Sequence, residues 1–186
     1  MEKIEKIQED VKQAMSEKRY LHSIGSMKKA EELAKIYGEN EEEARLVGLV
    51  HDIAKEMPTE EILNYVKTNQ IEVDEIESKQ LGLLHGKIAA DIAKRRYGFS
   101  NKMQKAIEYH TTGNANMDKL AKILFIADKC EETRNYEDVE LVRKLSYQSL
   151  DDCLLYILNY TIKQNIEKGK LIHPDSIMTR NQLLLK

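Results

Sequence analysis

The chain has 186 residues, 41% of them hydrophobic and 33% charged, with a formal net charge of -3. That length suits one domain with a buried core, and that composition excludes a disordered chain. The charges mix both signs without a broad basic face, which argues against nucleic acid as a partner; a small phosphorylated ligand needs only a few local cations.

No run approaches the ~20 apolar residues of a membrane span. The opening stretch, MEKIEKIQEDVKQAM, is charged throughout and has no apolar signal core. A soluble, cytoplasmic protein with no membrane contact is expected. Cys130 and Cys153 lack a CxxC spacing, so they read as small core or boundary residues rather than zinc ligands or a disulfide pair. With two prolines and eight glycines, the chain has few breakers. Its apolar spacing is helical almost everywhere, and repeats and linkers are absent. The expected fold is all-α, one domain over 1–186.

In chain order, the first helix places Ile4, Ile7, Val11, Ala14 and Met15 on one face. A second spans about His22 to Tyr37 and stops at Gly38, a C-terminal cap. A third covers roughly Glu41 to Lys55, with Ala44, Val47, Val50 and Ala54 inward. Pro58 and Thr59 start a short helix through Ile62 and Val66. Another begins near His85 and ends at Tyr97–Gly98. Ser100 caps the next, which runs to about His110. Residues 111–116 form a polar loop, and Met117 to about Cys130 is strongly periodic. A long final helix spans about Ser149 to Gly169. The tail, IHPDSIMTRNQLLL, reads as irregular chain followed by a short turn.

The chain has five histidines. His51 shares an apolar face with Val47 and Ala54, His85 with Ile88, Ala89 and Ile92, and His110 with Met103, Ala106 and Ile107. Asp128 lies on the core-facing stripe of Leu120 and Leu124, where a lone carboxylate is expensive without a positive partner. Asp52 stands beside His51 in another mostly apolar stretch. Neutral imidazoles with carboxylates that offset a cation are what a divalent metal site needs. A single inward histidine is more often a core residue with a satisfied ring, and a single helix aspartate is more often wetted. Periodicity alone leaves a metal site and a set of buried core histidines both open.

The order His22, His51–Asp52, His85, His110, Asp128 resembles the HD superfamily of metal-dependent phosphohydrolases, with the adjacent His-Asp pair inside GLVHDIAKE. The segments RYLHSIGSMKKAEELA, GLVHDIAKEMP, LLHGKIAADIAKRRYG, AIEYHTTG, ILFIADKCEETRNY and HPDSIMTRN resemble the YqeK family over about Arg19 to Asn181. The resemblance implies a single HD-type helical bundle, with a core at about 19–130 that the C-terminal helices and tail complete. It implies symmetrical cleavage of diadenosine tetraphosphate, and of related dinucleoside polyphosphates, into two nucleoside diphosphates. It further implies that His22, His51, Asp52 and Asp128 hold one metal and that Asp52, His85 and His110 hold a second, with Asp52 bridging. Iron is the implied metal; manganese, cobalt and zinc also suit such ligands. Two ions of this kind, ~3.5–4 Å apart, activate water and polarise a phosphoryl oxygen.

Asp52, Lys55 and Arg134 are the catalytic candidates. Lys55, Arg134, Lys129, Thr111, Thr112, His22 and His110 are candidates for touching the substrate. The bland reading of the four long side chains Arg19, Lys55, Lys129 and Arg134 is a solvated surface charge, and that of Thr111 and Thr112 is a helix cap. Arg180 in the tail and His173 before Pro174 read as surface or structural residues, and tyrosines at helical spacing read as packing. A homodimer is left open. Competing readings are hydrolysis of mononucleotides or guanine alarmones on the same fold, a non-catalytic nucleotide-binding sensor, and a helical interaction protein with incidental histidines.

Overall fold

The computed structural model describes residues 2–185, with side chains described for 4–185. Among these residues the regular structure is helical: α1 (Glu2–Gln13), α2 (Glu17–Tyr37), α3 (Glu41–Val50), α4 (Thr59–Asn69), α5 (Glu75–Lys79), α6 (His85–Tyr97), α7 (Asn101–Tyr109), α8 (Lys119–Cys130), α9 (Val139–Ser146), α10 (Leu150–Glu167) and α11 (Pro174–Leu184). A single 3-10 turn, Leu81–Leu84, leads into α6.

The helix ends follow from short polar side chains and glycine. Ser16, Asn40, Ser100, Asp118 and Ser149 each accept a backbone N–H from three residues ahead, satisfying donors that the first turn leaves unpaired. Gly38 and Gly98 close α2 and α6 in the left-handed conformation, which glycine adopts without penalty.

The bundle is organised around α8, which packs against α2, α3, α7, α9 and α10. It is buried nearly all round: Leu120, Ile123, Leu124, Phe125 and Ile126 are all at most 2% exposed. Each such side chain contributes ~1.5–3 kcal/mol by leaving water. A helix apolar on every side is stable only when surrounded, so Asp128 on α8 is carried to the middle of the molecule. The α2–α3 crossing is close. A Cβ at Gly48 would lie 2.8 Å from Met27 Cα and from Ser26 O.

Three sequence expectations are corrected. The helix expected through Lys55 ends at Val50. Residues beyond it wind more tightly, with Ile53 N donating to Val50 O at 2.9 Å and Lys55 N to Asp52 O at 2.9 Å, the three-residue spacing of 3-10 structure. The periodicity carried past Val50 because Ile53 and Ala54 stay buried, and burial does not report which carbonyl is bonded. The tail is not irregular: α11 is a full helix, capped by His173 and started by Pro174. Thr179 is its buried residue, so no apolar stripe announced it. The first helix ends at Gln13, leaving Ala14 exposed beyond it. Helices α5 and α9 were also missed.

Candidate metal centre

Three helices and two turns each deliver part of one polar cluster in the core. His22 comes from the second turn of α2 and His51 and Asp52 from the turn after α3. His85 opens α6, His110 follows α7, and Asp128 lies in the last turn of α8. All six are buried, none more than 5% exposed.

The rings are oriented from behind. His51 Nδ1 donates to Gly48 O at 2.8 Å, His85 Nδ1 to Gly82 O at 2.5 Å and His110 Nδ1 to Ile107 O at 2.6 Å. A carbonyl only accepts, so each Nδ1 carries the hydrogen, and each neutral ring presents a bare Nε2 to the cluster. His22 is held differently, by Glu131 Oε1 at 3.0 Å from its Nδ1.

The two oxygens of Asp52 divide the cluster. Oδ2 lies 3.6 Å from both His22 Nε2 and His51 Nε2. Oδ1 lies 3.2 Å from His85 Nε2 and 3.5 Å from His110 Nε2. Asp128 Oδ1 joins the first group, 3.0 Å from His22 Nε2 and 3.7 Å from His51 Nε2.

These residues fit metal ions on two observations. His51 Nε2 is fully buried with no hydrogen-bond partner, an expensive state for a ring nitrogen unless it is a ligand. The Nε2 atoms of His85 and His110 face each other at 3.0 Å. Burial lowers the pKa of both, that of His110 to about 4, so near neutral pH two bare lone pairs oppose one another. A shared cation removes that repulsion. Histidine nitrogens backed by carbonyls or a carboxylate, together with carboxylate oxygens, form the usual donor set of a transition-metal site.

The electrostatics follow from burial opposed by close charges. Burial raises the Asp52 carboxyl, yet His51, His110 and His85 outweigh it and hold Asp52 well below the usual carboxylate range. Asp128 is also raised by burial, and Lys129, His22, His51 and Arg134 push it far down. Burial lowers His22, but bonds to Asp128 and Glu131 win and raise it; a cation can take that position in place of the proton.

The positive side chains gather at the same place. Arg19 Nη1 bonds Asp52 Oδ2 at 2.8 Å, Lys129 Nζ bonds Asp128 Oδ2 at 2.7 Å, and Arg134 reaches Asp128 and, at 3.2 Å, His22 Nε2. Lys55 Nζ lies 3.3 Å from His85 Nε2, and burial of the ammonium lowers its pKa. The surface-charge reading of Arg19 and Lys129 is therefore replaced by contact with the cluster. Thr111 Oγ1 stands 3.3 Å and 3.2 Å from the Nε2 atoms of His85 and His110. Thr112 turns its hydroxyl to Gly113 O at 3.1 Å. Arg180 is bonded to Asn159 on α10, and His173 caps α11 while bonding Asp74 at 2.7 Å.

Glu131 escaped the sequence reading. It is 0% exposed, and it accepts from Thr133 N at 2.7 Å and from the Thr133 hydroxyl as well as from His22. In CEETRNY it reads as one of two exposed acids. Its only sequence signal is its place three residues after Asp128.

The HD domain model matches residues 19–133. The symmetrical bis(5'-nucleosyl)-tetraphosphatase of Halalkalibacterium halodurans is 35% identical over 95% of this chain and 94% of its own. The Bacillus subtilis protein of the same name is 31% identical over 94% of each chain. A crystal structure described as a predicted HD superfamily hydrolase involved in NAD metabolism, from Clostridium acetobutylicum, superposes with a TM-score of 0.94 at 39% identity. It covers 98% of this chain and 97% of that one. The chain therefore belongs to the HD superfamily and, within it, to the family of the symmetrical bis(5'-nucleosyl)-tetraphosphatases.

Proposed function

We propose that this protein hydrolyses diadenosine tetraphosphate symmetrically to two ADP at a two-metal centre. The observation that carries the reading is the partition of the cluster by Asp52: one oxygen toward His22 and His51, the other toward His85 and His110. In this reading Asp128 completes the first site, and iron is the resident metal, with manganese, cobalt or zinc as substitutes in the same donor set. The whole chain acts as one unit, its core at 19–130 completed by α9, α10 and α11, in the cytoplasm where its nucleotide substrate is made.

When bound, the ions would supply Lewis acidity toward phosphate and lower the pKa of water. The protein's own groups do the rest. Asp52 orients both halves of the centre. Lys55, Lys129 and Arg134 bring positive charge to its rim, where the phosphate chain is held and its developing charge offset. Their contacts with His85, Asp128 and His22 place that charge within one residue's reach of the ligands. The Thr111 hydroxyl at the His85–His110 pair is a donor for a phosphate oxygen. Arg19 brings positive charge to Asp52 Oδ2, the oxygen that faces His22 and His51.

The test is product analysis on diadenosine tetraphosphate in water enriched in heavy oxygen, with elemental analysis of the same sample. ADP alone, labelled on its terminal phosphate, with two metal equivalents per chain, is expected. AMP with ATP as first products excludes symmetrical cleavage. Turnover confined to mononucleotides moves the assignment to the alternative hydrolases.

A further inference from the structure

Two cavities lie beside the residues that surround the metal centre and share Lys129 and Thr161 in their walls. One, of about 160 Å³, passes Thr111 and Thr112 to walls formed by Leu83, Phe125 and Leu158. Thr111, in its wall, stands against the His85–His110 pair. The other, of about 260 Å³, passes Arg134 to Tyr136, Ile157 and Tyr160. Arg134, in its wall, touches His22 and Asp128.

The second cleft is built for a flat ring. Tyr136 and Tyr160 lie with ring centroids 5.7 Å apart and planes tilted by 38°. Tyr136 is fixed by its hydroxyl, which donates to Lys129 O at 2.9 Å. The same lysine bonds Asp128 with its ammonium, so one residue ties the aromatic wall to the centre. The Tyr160 ring, half-buried, lines the same cleft. A substrate with a nucleoside at each end of a phosphate chain needs two base-sized spaces on opposite sides of the cleaved bond. The two cavities supply them.

Resting on the proposed cleavage of a dinucleoside tetraphosphate, we propose that Tyr136 and Tyr160 form the seat of the second nucleoside, whose base stacks on Tyr160. The first nucleoside lies beyond Thr111 and Thr112. Arg134 and Lys129 stand where the phosphate chain turns into the aromatic cleft. Stacking of a base on an aromatic side chain is sequence-tolerant and strong enough to shift binding about tenfold or more.

The experiment is equilibrium dialysis of ADP against the metal-loaded protein. Two ADP per chain are expected for wild type and for Tyr160→Phe, and in Tyr160→Ala and Tyr136→Leu one of the two sites should weaken about tenfold while the other holds. One ADP per chain in wild type, or two unchanged affinities in Tyr160→Ala, overturns the seat. Kinetics give an independent reading. Tyr160→Ala should lose about tenfold in kcat/KM on diadenosine tetraphosphate, mainly through KM, and little on adenosine tetraphosphate, which has one nucleoside. An equal loss on both substrates marks a structural role and overturns the proposal. Failure of the cleavage reading shows separately, as wild-type products other than ADP, whatever the dialysis returns.

Discussion

His22 and Glu131 are joined at 3.0 Å through His22 Nδ1, and this carboxylate sets His22 apart from the other three cluster histidines, whose rings are held by backbone carbonyls. A carboxylate behind a ligand raises its basicity and fixes its tautomer. Both Glu131 oxygens already accept bonds, from His22 and from Thr133. A glutamine there must turn its NH2 toward one of those donors. Glu131→Gln is expected to weaken one of the two metal equivalents by roughly 10- to 100-fold while the other holds. Calorimetric metal titration measures this, and two unchanged affinities would remove the coupling.

Asp52 and His85 should separate the two sites. Asp52→Ala removes oxygens that face both halves and is expected to abolish turnover and deplete both metals. His85→Ala removes a ligand from one half and should mainly empty that half. Elemental analysis of both variants discriminates. Near-normal hydrolysis by Asp52→Ala would end the two-metal mechanism.

Gly48→Ala tests the helix crossing. Alanine improves helix propensity by about 1 kcal/mol, but the new Cβ would press on backbone atoms of Met27 and Ser26 at 2.8 Å. Backbone cannot step aside as a side-chain tip does, so the clash should win. A net loss of about 2 kcal/mol is expected, lowering Tm by roughly 4–8 °C. A Tm at or above wild type would show that α2 and α3 can separate freely.

Acid should weaken the metal-free protein in a defined window. His110 titrates near 6.5 when unfolded and at about 4 in the fold, because burial disfavours its charge. The unfolded chain therefore binds the extra proton first, and folding loses stability as pH falls from 6.5 to about 4. The full separation is worth about 3 kcal/mol. His85 acts in the same direction, and the raised His22 acts against it. Urea unfolding of chelator-treated protein at pH 7.5 and 4.5 reads the difference; greater stability at 4.5 contradicts the assignment.

The sequence exposed those parts of the molecule in which one residue type has one physical use. Ser100, Gly38 and Gly98 marked helix ends because capping and left-handed backbone favour those residues. His51, His85, His110 and Asp128 stood out because titratable groups on apolar stripes need an explanation, with Asp52 beside His51, whereas His22 was found only through the family resemblance. Helix α11 was illegible because it is anchored by polar bonds, such as Ser176 Oγ to Thr112 O at 2.8 Å, rather than by an apolar stripe. Glu131 was illegible because nothing local distinguishes a buried acid from its exposed neighbour Glu132. The contacts of Arg19 and Lys129 with Asp52 and Asp128 were not legible either, because long side chains reach partners their own helix does not reveal.

The tightened turn after Val50 carries a further consequence. Neighbours on an α-helix diverge by about 100°, so an adjacent His-Asp pair can serve a single centre readily only where the helix has ended. Continuation of α3 through residue 55 is therefore a competing conformation, one that carries Asp52 away from His85 and His110. Substitutions in the 53–56 stretch that favour helix would make the chain locally more regular and the enzyme worse. Thermostability gained there would be paid for in turnover.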